Sequence, residues 1–372
     1  MRVGFLTYGI RDPHKLAGIA RYTVELTRAL QRLETDLEIV LLTPYPASAI
    51  PWYREFETFA LPSLKLLPAV ATLGHLTLHR AAQVLRLDVL HDPCGIAPFA
   101  APRSRYRRVV TIHDSFARVV PETQDPMMRL LYRTLVPLTR YTADAVLTVS
   151  QASAQDLTRY CHIPPHKLHV TPLGIPARAK APEESGPRQS LRELGVTRPY
   201  FLFVGNLTPR KNLGRVLEAF ARVRKSCGDV QLVVVGPTFW RSEEIFRQAQ
   251  QTQGVLLTGF VSDETLHELY GGACGLVFPS LYEGFGLPAL EAMSRNCPVI
   301  TSNVSSLPEV VGDAALLVNP QQVDEIAAAM CQLLRDSELS STLRRRGRRQ
   351  AASFSWDRTA RQTLDVYRSL LA

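Results

Sequence analysis

The run Gly275-Leu276-Val277-Phe278 is apolar at every position, with no polar alternation. A strand of that kind must be covered on both faces, as in a parallel sheet flanked by helices. The next segment narrows the fold further. Ser280-Leu281-Tyr282-Glu283-Gly284-Phe285-Gly286-Leu287-Pro288 leads into a helix-forming segment at 289–295. Pro288 suits the first helical position, where its missing N–H would be unpaired anyway. Residues 283–287 therefore read as a loop from the carboxyl end of a strand to a helix N-terminus. Gly284 and Gly286 let the main chain come close to a ligand. Free N–H groups and the helix dipole at Leu287 then favour an anion such as phosphate. Glu283 in the loop and Glu291 a turn into the helix can each accept hydrogen bonds from hydroxyls, one at each end of a phosphate-centred ligand. Sugar, diphosphate and ribose in a row have that chemistry. Glu291 alone near a helix's positive end is worth only about 0.3–1 kcal/mol. The specific signal is the pair of Glu residues enclosing Gly-Phe-Gly-Leu-Pro.

The rest of the chain repeats the same alternation. In the first half, strands are expected at 2–7, 38–43, 88–92, 107–112, 144–150 and 167–173. Helices are expected at 19–33, 125–141 and 151–160, with Met127, Met128, Leu130, Leu131 and Leu135 as core positions. Residues 44–87 show no clear period. The stretch 176–189 has no large apolar residue and reads as a linker. Strands then recur at 200–205, 230–236, 255–260, 275–278 and 297–302, and three helical stretches end the chain. Strands alternating with helices imply parallel sheets. The expected organisation is α/β, with domains at 1–178 and 179–355 and a final helix, 356–372, returning to the first domain.

Composition removes several function classes. No run of about 18 uncharged apolar residues appears, so no membrane span is expected. The N-terminus enters a strand without a signal-peptide layout. Six scattered cysteines without Cys-x-x-Cys spacing suggest reduced thiols in a cytoplasm. The net charge of +9 is uneven: residues 1–178 hold 21 Lys and Arg against 14 Asp and Glu. No nucleic-acid signature accompanies it. Arg103, Arg105, Arg107 and Arg108 fall within six residues, and peripheral contact with an anionic membrane is expected there. The plainer alternative is that these arginines only solubilise the entrance to a strand.

Two further strand exits carry candidate chemistry. Gly205-Asn206-Leu207-Thr208-Pro209-Arg210-Lys211-Asn212 puts two cations where a strand becomes a helix, with Asn212 as the expected N-cap. A solvated basic turn would look similar. It is not a phosphate-binding loop ending in Gly-Lys-Ser/Thr. His113-Asp114 ends the strand at 107–112, at the sheet edge where open α/β folds bind ligands. Asp114 could equally serve a turn.

Together these runs resemble the family 4 glycosyltransferases, or glycosyl transferases group 1, and in particular their mannosyltransferases. The resemblance spans essentially the whole chain and is most specific from about 199 to 320. It implies the GT-B fold: two Rossmann-like domains with parallel sheets facing a central cleft. It also implies a retaining, metal-independent transfer of a hexose from a sugar nucleotide to a glycan or lipid-linked acceptor. By the same resemblance, Glu283 contacts the donor sugar and Glu291 the ribose. Arg210 and Lys211 clamp the diphosphate, and His113 contacts the donor sugar. Gly18 belongs to the first ligand loop, where Ala17 stands in place of a second glycine. Val261 borders the base, and Gly284, Phe285, Gly286 and Leu287 form the donor loop. Asn206 takes the place where many members carry an Arg. No cofactor is implied beyond the sugar nucleotide itself, and GDP-mannose is the first candidate. The enzyme would be cytoplasmic, or peripheral on the inner face of the membrane.

Two other readings stand beside this one. A nicotinamide-dependent enzyme fits open α/β halves, but Gly-x-Gly-x-x-Gly follows neither 2–7 nor 200–205. A non-catalytic sugar-nucleotide-binding subunit would share the site but not the turnover.

Overall fold

The computed structural model describes residues 1–7, 10, 18–34, 36–45, 50–61, 67–95, 104–123, 125–175, 189–197, 199–237 and 243–372, with main chain only at 67–75, 128, 189 and 190. The Asp12–Lys15 loop, Ala17, Arg103 and linker residues 176–188 lie outside the described residues. The chain divides into two compact units. One holds Met1–Arg118, Pro126–Gly174 and Ser355–Ala372; the other holds Val119–Asp125 and Ile175–Phe354.

The first unit runs β1 (Arg2–Leu6), α1 (Gly18–Leu33), β2 (Glu38–Thr43), β3 (Glu57–Ala60), α2 (Leu67–Val84), β4 (Val89–Asp92), β5 (Arg107–Thr111), α3 (Phe116–Val119), α4 (Pro126–Leu135), α5 (Thr139–Thr142), β6 (Ala145–Thr148), α6 (Gln151–Cys161) and β7 (Leu168–Val170). The second continues with α7 (Gln189–Glu193), β8 (Tyr200–Val204), α8 (Leu213–Cys227), β9 (Gln231–Val235), α9 (Glu243–Gln251), β10 (Val255–Gly259), α10 (Asp263–Gly272), β11 (Gly275–Phe278), α11 (Leu287–Ser294), β12 (Val299–Ser302), α12 (Leu307–Val311), β13 (Leu316–Val318), α13 (Val323–Arg335) and α14 (Ser337–Ala352). The last helix, α15 (Trp356–Leu371), belongs to the first unit, where it packs along α1.

Each unit has one parallel sheet, of order β3-β2-β1-β4-β5-β6-β7 and β10-β9-β8-β11-β12-β13. Strands β8 and β11 are buried at every residue, as uninterrupted apolar runs require, and β4 and β6 are as fully buried, the polar His91 and Asp92 of β4 included. In both sheets the chain starts at a central strand, builds to one side, then returns to build the other. The reversal falls between β1 and β4 and between β8 and β11. Ligands of open α/β sheets bind outside the carboxyl ends of the strands at such a reversal.

Several local expectations change. The segment 44–87 contains β3 and α2, neither visible as a period in the sequence. The expected helix at 125–141 breaks into α4, a 3-10 turn (Val136–Leu138) and α5, because Pro137 cannot donate within a continuous helix. Met127 and Leu130, expected in the core, are exposed there. Pro288 sits one residue into α11, which starts at Leu287. Cys227 and Cys331, 104 residues apart, are joined in a disulfide between α8 and α13, with Cα atoms 6.3 Å apart. Sequence spacing held no trace of that pair, since only the packing of the two helices brings the sulfurs together.

At Gly174 the main chain passes so close to the start of α15 that a Cβ would lie 2.1 Å from the Trp356 amide nitrogen. Only glycine fits that crossing.

Candidate active site

In the second unit the two strands at the reversal, β8 and β11, deliver the Arg210-Lys211 turn and the Glu283 loop side by side. Lys211 Nζ lies 2.7 Å from Glu283 Oε1 and Arg210 Nη1 3.0 Å from Glu283 Oε2. Arg210 Nη1 also donates to the Tyr282 carbonyl at 2.7 Å, and the Leu281 amide donates to the Arg210 carbonyl at 2.9 Å. The ammonium of Lys211 stands 4.7 Å from the centre of the Phe278 ring. Burial works against a charged Glu283, but Arg210 and Lys211 outweigh it and hold the carboxyl down at about 2. The corner therefore contains a buried carboxylate locked between two cations, a pair of charges an incoming diphosphate can share.

Asn212 stands at the head of α8, but in the left-handed region with φ 64°, and its side chain makes no capping bond. Instead its Nδ2 donates to the carbonyls of Pro279 and Pro320, at 2.9 and 2.7 Å, and its Oδ1 accepts from Arg215. The expected cap is thus a clamp that ties the β8 exit to the β11 exit.

The 280–287 loop is held by hydroxyls at the end of β12 and just after it. Ser302 Oγ donates to the Ser280 carbonyl at 2.5 Å, and Ser306 Oγ donates to the carbonyls of Glu283 and Phe285 at 2.9 and 3.0 Å. Ser305 Oγ accepts from the Glu283 amide at 3.0 Å. Gly286 precedes α11 at φ 106°, and a Cβ there would meet Leu307 Cδ2 at 2.6 Å. The Phe285 ring is buried edge-on against Phe354, centroids 5.7 Å apart. Its side chain is packing, so Phe285 can offer a ligand only main chain, as can Gly284 and Gly286.

Glu291 projects from the first turns of α11. Tyr270, fully buried, donates its hydroxyl to Glu291 Oε2 at 3.3 Å. Burial lowers the affinity of nearby Arg295 for its proton, and the charge of Glu291 opposes that. Arg295 is also 3.0 Å from His267 Nδ1. Val261 is half-buried beyond the end of β10, after Gly259 at φ 67° and the exposed Phe260.

Gly18 and His113 belong to the first unit. Gly18 opens α1 with open space where a side chain would be. His113 follows β5, and its Nε2 is 2.9 Å from the Pro93 carbonyl. Burial pulls its imidazole down to about 4, against the effect of that bond. The ring is then neutral at pH 7. A carbonyl can only accept, so Nε2 carries the hydrogen and Nδ1 is left as an acceptor. Asp114 accepts from the Phe116 amide at 3.3 Å, a turn contact.

Behind His113 runs a buried chain that sequence reading did not single out. Tyr22 packs edge-on against His113 with centroids 4.8 Å apart, and its hydroxyl is 2.8 Å from Thr111 Oγ1. Thr111 Oγ1 is 2.7 Å from His91 Nε2, and His91 Nδ1 is 2.6 Å from the Tyr367 hydroxyl on α15. Burial, with His113 adding to it, pulls His91 down to about 3. Ser305, Ser306, Tyr270 and Arg295 were missed in the same way: each acts through a contact far along the chain, with no local pattern to mark it. The fold brings Arg210, Lys211 and Glu283 into direct contact and sets Glu291, Val261 and the 284–287 loop in the same unit.

Comparison with known proteins identifies the family of the chain. A model of the glycosyl transferases group 1 matches residues 190–350, and one of glycosyltransferase family 4 matches residues 16–178. The O-antigen chain mannosyltransferase B of Escherichia coli is 32% identical over 100% of both chains. The MMP alpha-(1->4)-mannosyltransferase of Mycolicibacterium hassiacum is 30% identical, over 100% of this chain and 99% of that one. Among solved structures, Anabaena Alr3699/HepE in complex with UDP-glucose superposes with a TM-score of 0.78 at 19% identity, covering 99% of this chain and 100% of that one.

Proposed function

Because the chain belongs to the family 4 glycosyltransferases of GT-B fold, we propose that it moves mannose from GDP-mannose to a glycan or lipid-linked glycan, with retention and without a metal ion. The contact of Glu283 with both Arg210 and Lys211 carries this reading. In the free enzyme the buried carboxylate neutralises two partly buried cations. A donor diphosphate takes over part of that charge and leaves Glu283 oxygens to accept from the sugar's hydroxyls. As the glycosidic bond breaks, negative charge builds on the leaving phosphate, where fixed cations and the N-terminus of α11 stabilise it. Fixed positive charge from side chains is the support for metal independence. Retention rests on the family resemblance: the acceptor attacks from the leaving group's face and a phosphate oxygen takes its proton. His113, neutral, offers Nδ1 as an acceptor to a donor-sugar hydroxyl. Glu291 accepts from the ribose, and main chain at Val261 and 284–287 lines the remainder.

The mannose donor is supported by two mannosyltransferase relatives of full length; the HepE complex holds UDP-glucose instead. The acceptor and the place of action belong to the same proposal: a glycan on a lipid carrier, reached by peripheral contact with an anionic membrane. The support for that contact is the basic balance of residues 1–178. No helix among the described residues is long and apolar enough to cross a membrane.

A panel of labelled sugar nucleotides, assayed for transfer and for slow hydrolysis with and without EDTA, tests the reading. GDP-mannose should turn over fastest and EDTA should leave the rate within about twofold. Binding without turnover of any donor would instead favour the non-catalytic subunit, and rescue of a chelated enzyme by a divalent ion would overturn metal independence.

A further inference from the structure

The outward stripe of residues 126–141 combines exposed apolar side chains with arginines. Tyr132, Val136 and Thr139 face the core. On the opposite side Met127, Leu130, Leu138 and Tyr141 are 71%, 65%, 44% and 68% exposed. Positions 127, 130, 134, 138 and 141 recur every three or four residues, so α4, the turn and α5 present them along one face. The solvent face of such a segment is ordinarily polar. Here four large apolar side chains occupy it, and no acidic residue occurs from 126 to 143. Arg129, Arg133 and Arg140 are interleaved with them, and the Arg140 guanidinium lies 4.4 Å from the centre of the Tyr141 ring. The end of the segment is anchored, since Lys167 Nζ donates to the carbonyls of Arg140 and Ala143 at 3.0 and 2.8 Å.

We propose that this face is a docking surface for an anionic lipid bilayer. Met127, Leu130, Leu138 and Tyr141 enter the headgroup region, and the arginines meet lipid phosphates. The charge favours this occupant over a second copy of the chain. A two-fold contact through the face would set each row of arginines against its own copy. The inference rests on the peripheral-membrane reading above but moves the contact. Arg105 and Arg107 are exposed, whereas Arg108 Nε is tied to Asp144 Oδ2 at 3.2 Å and its guanidinium is largely covered.

Sedimentation of the full-length protein with vesicles of phosphatidylcholine alone, or with phosphatidylglycerol added, tests the surface. Binding should require the anionic lipid and weaken with salt. It should fall at least about tenfold in the triple variant Met127→Ser, Leu130→Ser, Tyr141→Ser, and less than about threefold in Arg105→Ser, Arg107→Ser. As an independent readout, the indole of Tyr141→Trp should be quenched by brominated lipid. Failure of the unaltered protein to bind any vesicle overturns both the membrane reading and this surface. Binding that survives the triple variant but is lost with Arg105 and Arg107 leaves the membrane reading standing and overturns this surface. A lipid-free dimer that the triple variant dissociates would assign the face to a second copy and overturn the proposal.

Discussion

Glu283 is the residue on which the second unit's electrostatics turn. A carboxyl held at about 2 rather than 4.5 stabilises the folded state above the ordinary value, and that contribution is lost as pH falls from 4.5 towards 2. Glu283→Ala should leave Arg210 and Lys211 to bind nucleoside diphosphate within about tenfold of the parent while turnover falls by about 10²–10³. Glu291→Ala should show the reverse emphasis, weaker nucleotide binding with a smaller loss of turnover. Calorimetry with GDP alongside steady-state rates separates the two, and parent-like kinetics in both variants would remove the donor-site assignment. His91 makes a second residue-level prediction. Its neutral form is favoured in the fold, with the proton affinity lowered from 6.5 to about 3. The unfolded chain therefore binds the extra proton between those values, and stability drops on acidification from pH 6.5 downward. The slope is about 1.4 kcal/mol per pH unit for one such group. Denaturant titrations of His91→Gln from about pH 7 to 4 should show that slope reduced; an unchanged slope would assign the acid lability elsewhere.

At the scale of elements, the donor loop depends on neighbours from β12 and α12 as much as on its own sequence. Ser306 is buried and satisfies two loop carbonyls at once. Ser306→Ala leaves those acceptors dry, at about 1–3 kcal/mol. Gly286→Ala adds a methyl within 2.6 Å of Leu307 at a backbone angle disfavoured for alanine, a strain of about 1–3 kcal/mol. Thermal melts should place both variants below the parent, and GDP should raise their midpoints less than it raises the parent's. If either variant keeps the parent's full ligand-induced shift, the loop does not need that support to bind nucleotide. The strand-loop-helix character of 275–295 was legible locally, because an unbroken apolar run, two glycines and a proline each demand one kind of backbone. The serine braces and the clamp at Asn212 were not. Asn212 in the sequence looks like a cap, and only the approach of Pro279 and Pro320 turns its amide to another use.

For the whole molecule, α15 is the part whose place is least local. It lies against α1 and brings Tyr367 to His91 and Trp356 to Gly174 and Tyr22. Removal of residues 355–372 should destabilise the first unit and raise the exchange of β4 and β5 amides. GDP binding, which the proposed function assigns to the second unit, should change less than about threefold. Loss of GDP binding in the truncated chain would mean that α15 also supports the second unit. The class of fold and the strand exits that hold the candidate residues Glu283, Glu291, Arg210, Lys211 and His113 were legible in the order of residues. They follow from patterns within one strand-turn-helix unit, where backbone preference and hydrophobic period act over a few residues. Other features came only with the packed chain: Glu283 ion-paired with both cations, Tyr22 and His91 standing behind His113, Cys227 meeting Cys331, and the apolar side of α4 facing outward. Each of those depends on which elements the sheet order makes neighbours, and the free energy of such contacts is shared between segments that no local window contains.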